Sequence, residues 1–469
     1  MVRSLPGANN SKLQSSFFIF SNRFSLLDFF IIQICHTYVI GKDIFHEETM
    51  RLQNILKDLQ KRFAAVPNND PRAKIGCGSL IAVLVFFFKR DRHGRTLESL
   101  RKLVQEQFKT NLSRGGFWER LAARKLRDTL EALVCSLIQT ISHKLLVSHD
   151  LLKMLGVSSI LLLDSSSSTL PKAAKAAFPA PRNNVAPASV KLHLCFDIIK
   201  GAVDWFNITE ATSHDRNSFP EIKSLKGKLI IFDLGYWDYS LLAQIITAGG
   251  FFLSRVKSSA SIEVVKVIEG LPKHFEGWSD LFDRKFPDRH AKIIEIVGSF
   301  SQNYKPVFQA RVIGFWNPIA NQYHWYVTNL SAPAKLIYPL YRLRWQIELI
   351  FKSLKATFRL ADFTTANTNI IHVLLYAALI ATIIAHPIAF ILAEEHKASK
   401  QAAPSIQRAA IVISNCAKLF IDFLLSKNDS ALVALTQELT RQTSELFDPN
   451  FKKRKSSLMQ VILLAKELC

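Results

Sequence analysis

Five short apolar runs and one helical run, all between residues 157 and 256, restrict this chain to folds built on a β-sheet. The runs are Ser158 to Asp164, Lys191 to Ile199, Ala202 to Thr209, Lys228 to Asp233 and Gly250 to Val256, each of strand length. Lys200-Gly201 is suited to a hairpin turn between the second and third, and Tyr239 to Thr247 predicts a crossover helix between the last two. A mixed sheet with flanking helices is the expected result. Two of the runs close on an acid. Asp164 precedes the run Ser165 to Ser168, which suits a turn, and Asp233 precedes Leu234-Gly235-Tyr236. A strand-end Asp is ordinarily a cap or turn residue, and Asp197, Asp204 and Asp238 lie nearby, so neither acid identifies a site by itself.

A second pattern lies far downstream, in Tyr341-Arg-Leu-Arg-Trp-Gln-Ile-Glu-Leu-Ile-Phe-Lys-Ser-Leu-Lys355. On one continuous α-helix Tyr341, Arg344, Glu348 and Lys355 would fall within roughly 60° of one another. Leu343, Ile347, Ile350 and Leu354 would cluster on the opposite side and pack on a core. Such a face is either solvated, with Arg344 and Glu348 an ordinary i,i+4 pair, or it meets a polyanion.

The spacing Tyr-x2-Arg-x3-Glu-x6-Lys resembles the signature of the insertion sequence four family of bacterial DDE transposases at every position. The Asp233-Leu-Gly-Tyr236 ending resembles that family's second motif, and Asp164 stands where the first acid would be. The resemblance, which covers about residues 50 to 395, implies an α/β protein. Its centre would be an RNase H-like mixed sheet flanked by helices, with a β-rich insertion before the last catalytic helix and a helical N-terminal domain. Asp164, Asp233 and Glu348 would then be the catalytic, metal-binding set. Two Mg2+ ions, with Mn2+ able to substitute, suit such a set, because a hard cation takes oxygen ligands and a metal pair can drive in-line attack on a phosphodiester. Tyr341, Arg344 and Lys355 would hold DNA. Trp325 would stack on a flipped base, or it is a strand aromatic in a core. The implied activity is cut-and-paste transposition: binding of terminal inverted repeats, cleavage at the transposon ends, hairpins on the excised ends, and joining of 3′-hydroxyls to target DNA. The implied assembly is a homodimer in a synaptic complex. An RNase H-like nuclease, or an inactive DNA-binding relative, would share part of this pattern.

Charge agrees with a nucleic-acid partner. Sixty Lys and Arg against 38 Asp and Glu give a formal net charge of +22. A basic chain also suits an anionic membrane surface, and Ile370 to Ala393 contains no Asp, Glu, Lys or Arg. That run carries His372, His386 and Pro387 and follows the signature directly, where a fully buried helix would read the same way. Leu26 to Ile40 has a signal-peptide outline interrupted by Asp28. The six cysteines show no Cys-x-x-Cys pair, which predicts free thiols in a reducing cytoplasm without structural zinc, and the family resemblance implies a bacterial, nucleoid-associated location.

The expected organisation has five parts. Residues 1–49 are an appended extension, with Met50 opening the family-like sequence. Residues 50–150 form a helical DNA-binding domain, with a turn over Ser113 to Trp118 entering a basic helix. Residues 155–256 and 336–394 form the catalytic core, and 257–335 the β-rich insertion, with runs Val307 to Phe315 and Gln322 to Leu330 joined through Asn317-Pro318. The proline-rich loop from Pro171 to Ser189 is expected to lack regular structure and lie along DNA. Residues 395–469 form a helical, basic C-terminal region ending near Lys452-Lys453-Arg454-Lys455.

Overall fold

Each central strand alternates between two cores. In β1 (Ser159–Thr169), Ile160 and Leu162 face one apolar cluster and Leu161 and Leu163 the other. β4 (Lys228–Ile231) repeats the pattern with Leu229 and Ile231 against Ile230, and β5 (Phe251–Arg255) with Leu253 against Phe252. Successive side chains of a strand point to opposite faces, so strands apolar on both parities must be covered on both. The computed structural model describes residues 50–68, 73–87, 96–140, 149–181, 186–198, 200–279, 291–357, 364–395, 405–426, 428–447, 461, 463–465 and 467. The expected extension at 1–49, the Leu26 to Ile40 run and Lys452 to Lys455 lie outside them. Contacts separate Met1–Arg51 from the unit Leu52–Cys469, which carries all that follows.

The remaining strands are β2 (Ser189–Asp197), β3 (Ala202–Glu210), β6 (Ser261–Glu269), β7 (Ile293–Gln302), β8 (Lys305–Asn317) and β9 (Gln322–Thr328). They join one nine-stranded sheet in the order β3-β2-β1-β4-β5-β9-β8-β7-β6. β1, β4 and β5 are parallel, and β1-β2-β3 is an antiparallel meander. This is the expected mixed sheet of RNase H-like order. The strands of 257–335 extend that sheet, β9 pairing antiparallel with β5.

The helices, in chain order, are α1 over 50–64, α2 (Cys77–Val85), α3 (Leu97–Phe108), α4 (Arg114–Ala122), α5 (Arg124–Thr140), α6 (His149–Leu155), α7 (Tyr239–Thr247), α8 (Ala334–Arg342), α9 (Trp345–Ala356), α10 (Thr368–Glu395), α11 (Ile406–Asn415), α12 (Ala417–Leu425) and α13 (Asp429–Arg441). α10 is long and apolar enough to cross a membrane by length and composition, yet 89% of its most apolar window is buried inside the protein. Its neighbours are α5, α9 and α11, so the buried-helix reading of Ile370 to Ala393 describes it. N- and C-terminal helices share one core. Phe86 stacks on Phe420 at 4.7 Å, and Gln60 Nε2 donates to the carbonyls of Phe423 and Ser426.

Three local expectations need correction. Asp164 does not close its strand: the serines after it stay extended, because each pairs with β2 from Ser165↔His193 to Ser168↔Val190. Antiparallel hydrogen bonds outweigh the turn preference of serine. The helix expected from Trp118 starts at Arg114, because the Ser113 hydroxyl accepts from Gly116 N–H and caps it earlier. The Pro171 to Ser189 loop holds a 3-10 turn, Lys172–Ala174, and a bridge between Pro179 and Ala188. Among the described residues of the loop, Ala174, Phe178 and Ala180 are buried despite the prolines.

His386 on α10 is fully buried with neither ring nitrogen hydrogen-bonded, its ring edge-on to Phe196. Burial lowers its pKa from 6.5 to about 4, so it folds neutral. Between those values the unfolded chain binds the extra proton, and stability present above pH 6.5 is lost as pH falls towards 4. His386→Leu should therefore raise stability at neutral pH by about 1–3 kcal/mol, the cost of buried unpaired polar groups. It should also flatten the acid side of a Tm-against-pH curve. His193, lowered to about 4 by burial, leaves part of the slope.

Candidate active site

β1 continues two residues past its last parallel pair with β4, Leu162↔Ile231, and Asp164 lies there. Asp233 follows the end of β4, where its Oδ1 accepts from Gly235 N–H at 2.9 Å and caps a 3-10 turn. Asp164 therefore lies just past the parallel pairing of β1 with β4, and Asp233 just past the end of β4, where the two chains part and leave a crevice. By parity Asp164 shares the face of Ile160 and Leu162, the face that α9 covers. α9 contributes Glu348 from its first turn.

The signature is not carried on one α-helix. Tyr341 belongs to α8, Glu348 and Lys355 to α9, and Leu343-Arg344 forms the joint. At the joint the N–H groups of Leu343, Arg344, Gln346 and Ile347 all bond three residues back, at 2.9–3.1 Å. The backbone remains helical but tightens to 3-10 spacing, so the residues keep one side of the path. Leu343, Ile347, Ile350 and Leu354 are all fully buried, as the apolar stripe requires.

Arg344 is the centre of the site. Its Nη1 donates to Asp164 Oδ2 at 2.7 Å and its Nη2 to Glu348 Oε1, so one guanidinium bridges acids from β1 and α9. The i,i+4 pair foreseen in the sequence exists, but its third member comes from 180 residues away. Burial raises the Asp164 carboxyl to about 6; Arg344 opposes this, while Asp233 and Glu348 add to it. Burial also raises Asp233, against the Gly235 N–H and Arg344, with Asp215 and Glu348 adding to the rise. Asp164 and Asp233 thus lie within electrostatic reach of Glu348 and of Arg344. Among the described residues no group of three His, Cys, Asp or Glu is close enough to hold a metal ion as the side chains stand. The donor set is nonetheless all carboxylate oxygen, and its repulsion is relieved by a cation, which suits a hard divalent ion in place of the guanidinium.

The other expected residues differ in availability. Burial raises the Tyr341 hydroxyl pKa, and its ring lies 5.9 Å from the Arg344 guanidinium. Lys355 Nζ donates to the Ser167 carbonyl at 2.7 Å, tying α9 to β1. Trp325 is only 9% exposed, in the core under the sheet, with its ring over Gly314 and 5.3 Å from Tyr323. Of its two readings, the core aromatic describes it. A Cβ at Gly314 would lie 2.6 Å from that ring, so glycine there makes room for it. The tryptophan that faces solvent beside the site is Trp345, 56% exposed at the start of α9. It lines a cleft with Arg255, His324, Tyr338, Tyr341 and Arg344. Nothing in a pattern reading distinguishes Trp345 from Trp325, since exposure is decided by the sheet. The competitors have structural tasks: Asp197 accepts from Lys200 N–H in the β2–β3 hairpin, Asp204 pairs with Lys200, and Asp238 caps α7. Asp215, a fourth carboxylate from the loop after β3, was not foreseen.

A mixed sheet of this order, with one acid just past the parallel pairing of β1 and β4, a second after β4 and a third on the helix packed against β1, has an RNase H-like arrangement. Residues 155–384 match the family described as Transposase DDE domain, with Asp164, Asp233 and Glu348 all inside the match. Similar proteins are transposases of insertion sequences. The chain is 25% identical over 271 residues to that of IS1151 from Clostridium perfringens, covering 49% of this chain and 57% of the relative. A putative transposase of Sinorhizobium fredii is 27% identical, covering 43% and 53%. That of IS231F from Bacillus thuringiensis subsp. israelensis is 24% identical, covering 66% and 70%. The chain thus spans little more than half the length of the first two. A structure of the piggyBac transposase synaptic complex with hairpin DNA aligns over 87% of this chain and 83% of its own, at 10% identity and a TM-score of 0.42.

Removing the bridge leaves two partly buried acids without their counter-ion. Arg344→Ala should lower stability by about 3 kcal/mol in denaturant unfolding of the metal-free protein. An unchanged midpoint would mean that the bridge contributes nothing.

Proposed function

We propose that this protein is a DNA transposase that binds the terminal inverted repeats of its own element, cleaves at their ends and joins the freed 3′-hydroxyls to target DNA. The observation that carries the reading is the Arg344 bridge between Asp164 and Glu348, with Asp233 after the adjacent strand β4, within a DDE-domain match. These three acids would hold two Mg2+ ions, with Mn2+ able to substitute, and the metal would activate the attacking hydroxyl and stabilise the leaving oxygen. The protein's own groups supply the rest. Arg344, once its acids have another cation, is free to present its planar fork to a phosphate, and Lys355 adds a point charge at the end of α9. Tyr341 can donate its hydroxyl to a phosphate oxygen.

Trp345, in place of Trp325, is the aromatic with a free face for a base, in a cleft whose arginines suit the flanking phosphates. The helices of 50–150 are proposed to recognise the repeats, the strands of 257–335 to wall the DNA channel, and two copies to hold two ends in a synaptic complex. The net charge of +22 supports a polyanionic partner.

Glu348→Gln should keep binding to DNA carrying the element's ends and lose cleavage with Mg2+ by at least about a thousandfold, comparable to loss of one essential electrostatic group. Cleavage at the wild-type rate would remove the assignment. Trp345→Ala should weaken binding to distorted or melted ends by about 1–3 kcal/mol, the value of one stacked base, with Tm unchanged. Trp325→Ala should instead lower unfolding free energy by about 3–5 kcal/mol, and Tm with it, as loss of a core aromatic does.

A further inference from the structure

We propose that Asp215 is a positioning residue that braces the β1 backbone carrying Asp164 and the turn after Asp233, and so sets the geometry of the acid pair; this rests on reading those acids as metal ligands. Asp215 opens a 3-10 turn, Asp215–Asn217, in the loop between β3 and β4. Its Oδ1 accepts from Ser165 Oγ at 3.0 Å and from Lys191 Nζ at 3.0 Å. Its Oδ2 abuts Gly235, where a Cβ would lie 2.7 Å from it. Ser165 is the residue after Asp164, and its N–H donates to Asp164 Oδ1 at 2.8 Å. Gly235 is the residue whose N–H donates to Asp233 Oδ1 at 2.9 Å. One carboxylate therefore touches both backbone units that hold the acids, one through a hydrogen bond and one through close packing.

A fourth negative charge beside three others is unfavourable, and Asp215 adds to the rise in Asp233. Lys191 offsets it. That lysine sits on β2 with little of its side chain exposed, and also donates to the Ser213 carbonyl at 2.6 Å, fixing the loop that delivers Asp215. His193, 4.0 Å from Asp215, bonds to Tyr236 and Thr209 and closes the cluster below. The arrangement also explains glycine in Asp233-Leu-Gly-Tyr236: a larger residue would push on Asp215 and, at 3.1 Å, on Asp233 Oδ1. Outer partners of metal ligands act this way, and their loss typically weakens metal binding by about 10–100-fold.

The test is Mn2+ affinity of the full-length protein without DNA, by calorimetry or paramagnetic resonance, well below the Tm of each variant. Asp164→Asn is the control that should abolish tight binding. Asp215→Ala should weaken Mn2+ binding by about tenfold or more, and Asp215→Asn should recover part of it, since the amide oxygen still accepts from Ser165. If Asp215→Ala fails to fold, Ser165→Ala, which removes only the hydroxyl donor, should weaken binding in the same direction. Wild-type affinity in Asp215→Ala, or in Ser165→Ala where that variant decides, with binding lost in Asp164→Asn, would overturn the positioning role and leave the metal-site reading standing. Wild-type affinity in Asp164→Asn would overturn that reading and this inference with it.

Discussion

Strands β1, β4 and β5 are covered on both faces, so no side of them can carry a polar group at low cost, and any charge they bear must appear where the sheet ends. That constraint shapes the rest of the molecule. It puts Asp164 and Asp233 at the carboxyl edge of the parallel strands. It requires a helical layer on each side, which α7 supplies on one face and α9, α10 and α5 on the other. Because α9 must cross the end of β1 to cover its apolar residues, Glu348 arrives beside Asp164 as a consequence of packing.

Concentrating acids at that edge creates an electrostatic problem, and Arg344 is the fold's answer to it. Burial alone would favour the protonated form of Asp164, and its neighbours favour it further. The guanidinium lowers that cost while satisfying two carboxylates at once. In the proposed function a residue in this position would serve two partners in turn, acids in the metal-free protein and phosphate when a divalent ion replaces it. Lys191 does the same service for Asp215 on the other side of β1.

The strand runs were readable because alternation and length are local properties, and β1 to β5 fall where the apolar runs lie. Departures from the sequence reading occur where a partner far along the chain outbids a local preference. Ser165 to Ser168 remain extended because β2 pairs with them, and the proline-rich stretch after Pro171 makes a 3-10 turn and buries Phe178. Trp325 illustrates the limit for site residues. Its position before the signature suits a base-stacking role, but sheet register turns its ring onto Gly314, whereas Trp345 projects from the helix start.

The sequence by itself determined the sheet-forming order, the buried character of Ile370 to Ala393 as an alternative to a span, the residue types of the acid set, and the Tyr-Arg-Glu-Lys spacing. Only the tertiary structure decided that the signature is broken into α8 and α9 by a tight joint, that Arg344 bridges acids from different elements, and that Asp215 reaches both the β1 backbone beside Asp164 and the turn after Asp233. The reason is physical. Periodicity records which face of an element is apolar, but which charges meet depends on contacts between residues distant in the chain, and those exist only once the layers have packed.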